Sequence, residues 1–139
     1  MAQALQQATM AAEAGEVPVG AVMVRAQTVI GRAYNQVELL KDPTAHAEMI
    51  AITQAASACG DWRLTECTLY VTKEPCPMCA GAITLARISR VVFGAYDLIG
   101  AGKLKAGKID GGMLEEECKE LLQRFFRKLR TQTKDSARL

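Results

Sequence analysis

The chain has 139 residues, half of them apolar and 23% charged, which suits one compact domain with a single core. This composition excludes a disordered chain, a collagen and a coiled coil, and no apolar run approaches the roughly 20 residues that cross a bilayer. The first residues have no basic start followed by an apolar block, so we expect one cytoplasmic domain over residues 1–139 without a membrane anchor. Residues 103–139 carry ten basic and six acidic side chains, a balance that suits either an anionic partner or a solvated helix face.

Apolar periodicity predicts an alternation of helices and strands. In chain order these are a helix from Ala2 to Ala14, strands from Val19 to Arg25 and from Thr28 to Tyr34, a helix from Ala45 to Ala58, a strand from Thr68 to Thr72, a helix from Pro75 to about Ile88, a strand from Val91 to Ala95, a short strand near Lys108 to Asp110, and a helix from Met113 to Arg130. Residues 97–112 otherwise predict a loop rich in glycine and lysine, and residues 131–139 a mobile tail. The alternation predicts the α/β class with a mixed sheet, in which the first two strands form an antiparallel hairpin.

Two short runs at predicted helix starts carry residues with reactive side chains, namely His46-Ala47-Glu48 and Pro75-Cys76-Pro77-Met78-Cys79. The positive end of a helix dipole lies at such a start and favours the thiolate, the form of cysteine that binds a metal. Two cysteines with C-x-x-C spacing on a first helical turn can both reach one ion. His46 can supply a third ligand from the other helix start.

Three protein ligands leave a tetrahedral zinc ion with one open position, whereas structural zinc sites have four ligands. Zinc lowers the pKa of a water molecule at that position to roughly 7, which gives a nucleophile at neutral pH. Glu48 lies two residues after His46 and so need not be a ligand, since helical neighbours two apart do not share a face. A carboxylate beside the water can move its proton to a leaving amine, a combination that indicates hydrolytic deamination.

The same residues also fit roles that involve no deamination. A lone C-x-x-C pair is typical of a redox site as well, and a lone histidine is often a packed residue. Three further cysteines could close a structural zinc site, namely Cys59, Cys67 and Cys118. In that case the chain would be a zinc-binding interaction module and not an enzyme, although a structural site has no use for Glu48. The odd number of cysteines does not indicate a disulfide framework.

The combination of H-x-E followed by P-C-x-x-C is the signature of zinc-dependent nucleobase deaminases. Further runs resemble the bacterial tRNA adenosine deaminase family over most of residues 4–130; they are Glu16 to Val22, Asn35, Asp42 to Glu48, Leu69 to Thr72, Glu74 to Ala82, Arg87 to Ala95 and Glu117 to Arg127. The resemblance implies a three-layer α/β/α cytidine-deaminase-like fold with a mixed five-stranded sheet, and a homodimer. It also implies conversion of adenosine to inosine at the wobble position of a tRNA anticodon.

The family match assigns a role to each matching residue. His46, Cys76 and Cys79 match the ligands of one Zn²⁺ per chain, and Glu48 matches the proton shuttle. The positions that match substrate contacts are Asn35, Val17, Pro18, the backbone around Ala47, and Asp97 beside the sugar of the target nucleotide. The implied partner is a tRNA anticodon loop or another single-stranded nucleic acid, whose bases are free to enter a pocket.

The sequence departs from the family pattern after Asp97. Residues 98–110 replace a longer insertion, and Tyr96 stands where a basic residue is frequent. Lys103, Lys105 and Lys108 in this shorter loop can contact phosphates or simply solvate it. The shorter loop does not affect the zinc chemistry, but the substrate can differ from that of the family. The alternatives to tRNA are adenine or cytosine in single-stranded DNA, and a free base or nucleoside such as guanine or cytosine.

Overall fold

A computed structural model describes residues 1–97 and 104–137. The helices are α1 (Ala2–Glu13), α2 (Val37–Leu40), α3 (Ala47–Cys59), α4 (Pro77–Leu85) and α5 (Glu115–Ala137), and the strands are β1 (Gly20–Arg25), β2 (Thr28–Tyr34), β3 (Cys67–Lys73), β4 (Arg90–Ala95) and β5 (Lys108–Asp110). Residues 98–103 of the predicted loop, including Lys103, lie outside the described residues. No helix in the described part of the chain is both long and apolar enough to cross a membrane.

The five strands form one mixed sheet in the order β2-β1-β3-β4-β5. β1 pairs antiparallel with both β2 and β3, whereas β3, β4 and β5 run parallel. The predicted mixed sheet and its antiparallel hairpin are therefore confirmed. Since the parallel strands β3 and β4 end side by side, residues that follow them meet at one edge of the sheet.

Alternate residues of each strand face two different layers of helices. Met23, Leu69 and Val91 belong to the buried core that includes Ala51 and Ala55 of α3 and Ile83 of α4. On neighbouring strand positions, Gly20 lies against Ala4 and Ala8 of α1, and Gly94 lies against Cys118 of α5. The sheet is thus covered on both faces, as an α/β/α arrangement requires.

The helices differ most from the prediction at α2, at the end of α4 and at the end of α5. The one-turn helix α2 was not predicted; it ends at Leu40, because the next residue, Lys41, has a left-handed φ of 52°. α4 ends at Leu85 and not near Ile88, because Arg87 adopts a left-handed φ of 59° that no helix continues through. Helix α5 runs to Ala137 and so continues beyond Arg130, where the prediction ended it. No glycine or proline interrupts that stretch.

The apolar side chains of α5 are only partly covered by the rest of the chain. Cys118 is buried, but Phe126 and Leu129 remain 40% and 46% exposed. Near the N-terminus of this helix, Gly94 leaves room for the Cys118 side chain beneath the sheet.

Candidate metal and catalytic site

The predicted ligands lie at the starts of two neighbouring helices. His46 directly precedes α3 and Cys76 directly precedes α4, and both have extended backbones with ψ of 151° and 170°. Pro77 is the first residue of α4, a position that needs no N–H donor. Cys79 follows in the first turn and is fully buried. These backbone conformations bring side chains 30 residues apart in the chain to one point.

The distances between the ligand atoms match the geometry of zinc. His46 Nδ1 lies 3.6 Å from Cys76 Sγ and 3.5 Å from Cys79 Sγ, and all three ligand atoms lie within 4.8 Å of one another. With Zn–N bonds of about 2.1 Å and Zn–S bonds of about 2.3 Å, neighbouring ligands of a tetrahedral ion stand about 3.6 Å apart. The three residues therefore fit a bound zinc ion.

No fourth protein ligand completes the set among residues 1–97 and 104–137. Cys59, Cys67 and Cys118 all lie elsewhere: Cys59 and Cys67 are neighbours beside Arg25, and Cys118 is buried beneath Gly94. The alternative of a closed structural site built from one of these cysteines is not supported. A three-ligand set is the arrangement of catalytic zinc sites.

Burial dominates the electrostatics of Cys79. Desolvation raises the pKa of its thiol, and the adjacent charges of Glu48 and Cys76 raise it further. Without a metal, burial therefore acts at Cys79 against the thiolate that the helix start is expected to favour. A divalent cation at the site has the opposite effect, since a coordinated thiol is deprotonated.

Glu48 is a buried carboxylate beside this group. Its side chain is only 4% exposed, and desolvation raises its pKa above the ordinary value. Its own backbone amide, His46, Cys79 and the positive charge of Lys73 each offset part of this rise. A carboxyl group with a raised pKa is suited to exchange a proton near neutral pH.

One cavity of about 540 Å³ joins these residues to the surface. Its walls come from the segment before β1, the residue after β2, the helix α2, the starts of α3 and α4, the end of β3, and α5. His46, Glu48 and Cys76 form part of its lining, together with Asn35. A cavity of this size holds a small organic group with the metal ligands at its wall.

Comparisons with known proteins agree with this geometry. The profile of the MafB19-like deaminase family matches residues 1–130. The chain is 47% identical to the tRNA-specific adenosine deaminase of Bacillus subtilis (strain 168), over 96% of this chain and 91% of that protein. The chain superposes with a TM-score of 0.82 on a structure from a study of A-to-I editing by tRNA:A34 deaminases at the wobble position of transfer RNA. The two sequences are 42% identical, and the match covers 88% of this chain and 97% of the other.

The chain belongs to the deaminase family that includes the tRNA-specific adenosine deaminases.

This membership confirms the family and fold predicted from the motifs. The deaminase is also similar to the structure of guanine deaminase from Bacillus subtilis, with 41% identity and a TM-score of 0.65. That match covers 68% of this chain and 61% of the other. Relatives that act on different bases therefore share one type of reaction, so family membership identifies the reaction and not the base.

The predicted substrate contacts of this deaminase are only partly gathered in the cavity. Asn35 is 7% exposed at the end of β2 and lines the cavity, as does Val17. Pro18 and Ala47 are buried and are not part of the lining. Asp97 also lies outside the lining, and its carboxylate pairs with Lys73. The roles of these residues in substrate binding stay predictions.

The cavity contains residues to which sequence analysis gave no role. Glu16 is 1% exposed and accepts backbone hydrogen bonds from Glu38 and Leu39, at 2.9 and 2.8 Å. The C-terminal helix contributes Phe125 and Leu129, whose i, i+4 spacing puts both on one face. A charge at the end of the apolar strand β3 was a signal that could have identified Lys73.

Proposed function

We propose that this chain is a zinc-dependent hydrolytic deaminase that converts adenosine to inosine at the wobble position of a tRNA anticodon. The observation that carries the proposal is the set of three metal ligands with a buried glutamate beside it, at the wall of an open cavity. The high identity to a tRNA-specific adenosine deaminase over nearly the whole chain supports the choice of substrate. We place the protein in the cytoplasm, where such a substrate is found.

His46, Cys76 and Cys79 would hold one zinc ion per chain. Bound zinc supplies the acidity that turns a water molecule into a nucleophile at neutral pH. Glu48 accepts the proton that the water loses and delivers it to the departing amine, so that adenosine and water give inosine and ammonia. The raised pKa of Glu48 suits both halves of this transfer, because the group must gain and lose a proton in each cycle.

Other residues of the chain would position the nucleoside. Asn35 is nearly buried at the cavity wall, and its amide offers both a donor and an acceptor to the base. Val17 gives an apolar surface for the base to pack against, with Pro18 next to it in the chain. The backbone around Ala47 would hold the base from the start of α3, and Asp97 would lie beside the sugar.

A second copy of the chain is part of the proposal. Helix α4 presents an apolar stripe to solvent, in which Pro77, Gly81 and Leu85 follow one another at i, i+4 spacing and Leu85 is 77% exposed. A contiguous apolar face on an exposed helix is typical of a surface that another chain covers. We therefore propose a homodimer with α4 at its interface.

Guanine deamination is the second candidate, because of the similarity to a guanine deaminase and the short segment between residues 98 and 110. A panel of substrates separates the two reactions. We expect inosine from an anticodon stem-loop RNA that carries adenosine at the wobble position, and no xanthine from guanine or uracil from cytosine. The same assay with a zinc chelator should show no inosine. Xanthine formation without inosine formation would contradict the proposed function. Deoxyinosine formation in a single-stranded DNA of the same sequence would show that the sugar is not discriminated.

A further inference from the structure

Lys73 places a positive charge in the wall of the catalytic cavity. It is the last residue of β3 and precedes Glu74, Pro75 and Cys76 in the chain. Among the described residues that line the cavity it is the single lysine or arginine, and 34% of its side chain is exposed. No part of the proposed mechanism uses it.

Hydrogen bonds hold this ammonium group at the carboxyl ends of two parallel strands. Lys73 Nζ donates to Asp97 Oδ2 at 3.3 Å, and the backbone N–H of Asp97 donates to Glu74 Oε1 at 2.9 Å. The backbone N–H of Glu74 in turn donates to the carbonyl oxygen of Ala95, the β4 residue opposite Lys73. The position of Lys73 is thus fixed from both strands. An ammonium has three N–H donors, so the bond to Asp97 leaves donors for a ligand in the cavity.

Lys73 is the one position in the described lining of the cavity at which a phosphate would meet a lysine or arginine. Four acidic side chains, Glu16, Glu38, Glu48 and Glu74, line the same walls, and together they repel an anionic strand. A purine base carries no charge for a lysine to neutralise, whereas each nucleotide of a polymer brings one phosphate. Lysine is a compact charge that binds phosphate oxygens without demanding a planar partner.

From these contacts we infer that Lys73 binds the backbone phosphate next to the nucleotide whose base enters the cavity, with Asp97 and Glu74 as the residues that position it. This inference rests on the proposed function, since it needs a nucleic acid as substrate. It makes Lys73 a residue that distinguishes a polymeric substrate from a free base. The phosphate contact would bind the strand and take no part in the chemical step.

Equilibrium binding over a range of salt concentrations tests this inference. Lys73→Met and Lys73→Arg would be made in the full chain with Glu48→Gln, so that a labelled anticodon stem-loop RNA binds without turnover. Arg25→Met, in the same background, is the matched control for the loss of one charge. Arg25 of β1 lies opposite Cys67, at the other end of β3 and about 20 Å from Lys73 along the strand. Its side chain forms an exposed ion pair with Glu66.

We expect Lys73→Met to weaken RNA binding about tenfold, as the loss of a charged hydrogen bond does. It should also reduce the slope of log affinity against log salt by about 0.7, the contribution of one phosphate contact on a single strand. Lys73→Arg should keep the slope because it keeps the charge, and Arg25→Met should change neither quantity. Thermal melting of every variant shows whether it is folded.

If Lys73→Met and Arg25→Met give the same affinity and the same slope, the inference is overturned. A loss of affinity in Lys73→Met with an unchanged slope would also overturn it, since a phosphate contact must release counterions. Inosine formation by the chain with Glu48 intact tests the proposed function separately. If the chain with Glu48 deaminates the stem-loop while Lys73→Met binds RNA normally, only the role of Lys73 is wrong. If the chain with Glu48 neither binds nor deaminates RNA, the proposed function and the role of Lys73 are both wrong.

Discussion

Glu48 carries both proton transfers of the proposed mechanism. We expect Glu48→Gln to lower the rate of inosine formation by about 10²- to 10⁴-fold, because an amide of the same shape cannot accept and return a proton. The variant should bind as much zinc as the unaltered chain, since Glu48 does not belong to the ligand group. Single-turnover deamination and metal analysis of the same preparation measure both effects. A Glu48→Gln chain that deaminates at the normal rate would show that the shuttle lies elsewhere.

Glu16 is a buried carboxylate with a structural task. Its two oxygens accept the N–H groups of Glu38 and Leu39 and so tie the one-turn helix α2 to the segment before β1. Glu16→Ala should lower the free energy of unfolding by about 1–3 kcal/mol, because two backbone donors lose their acceptor. Urea unfolding measures this change. The exposed Glu66, mutated to alanine, is the control and should cost less than about 1 kcal/mol; an equal loss in both variants would contradict the assignment.

At the scale of elements, Gly20 lets α1 approach the sheet. A Cβ atom at this position would collide with the backbone oxygen of Ala4 and the backbone nitrogen of Ala8. Gly20→Ala should therefore displace α1 and lower the free energy of unfolding by about 1–3 kcal/mol. Ser57→Ala on the exposed face of α3 is the control, with an expected change below about 0.5 kcal/mol. Unchanged urea unfolding of Gly20→Ala would contradict this packing.

The elements that could be predicted are those whose signals are local. The alternation of apolar residues in β1 and β2 and the proline at the start of α4 can be recognised from neighbouring residues. The candidate metal ligands could be predicted as well, because each lies at or near the start of a helix. α2 and the end of α4 could not be predicted, since they depend on left-handed residues, Lys41 and Arg87, that are not glycines. Lys73, Glu16 and Phe125 were missed as cavity residues because the sheet order and the packing of α5 bring them together.

At the scale of the whole molecule, the stripe on α4 predicts a dimer that one charge can disrupt. We expect light scattering to give the mass of two chains at micromolar concentration. Leu85→Lys should give the mass of one chain, because it puts a charge into the apolar stripe of α4. Met10→Lys alters an exposed methionine on α1 and should leave the dimer intact. A monomeric mass for the unaltered chain would contradict the proposed assembly.

The central claim is that His46, Cys76 and Cys79 hold one catalytic zinc ion, and elemental analysis of the purified chain tests it most directly. We expect about one zinc per chain, a loss of zinc and of inosine formation in His46→Ala and Cys79→Ala, and recovery of activity when zinc is returned to chelated protein. A pure, folded and active chain without bound metal would contradict the claim, as would an experimental structure in which a fourth side chain closes the site.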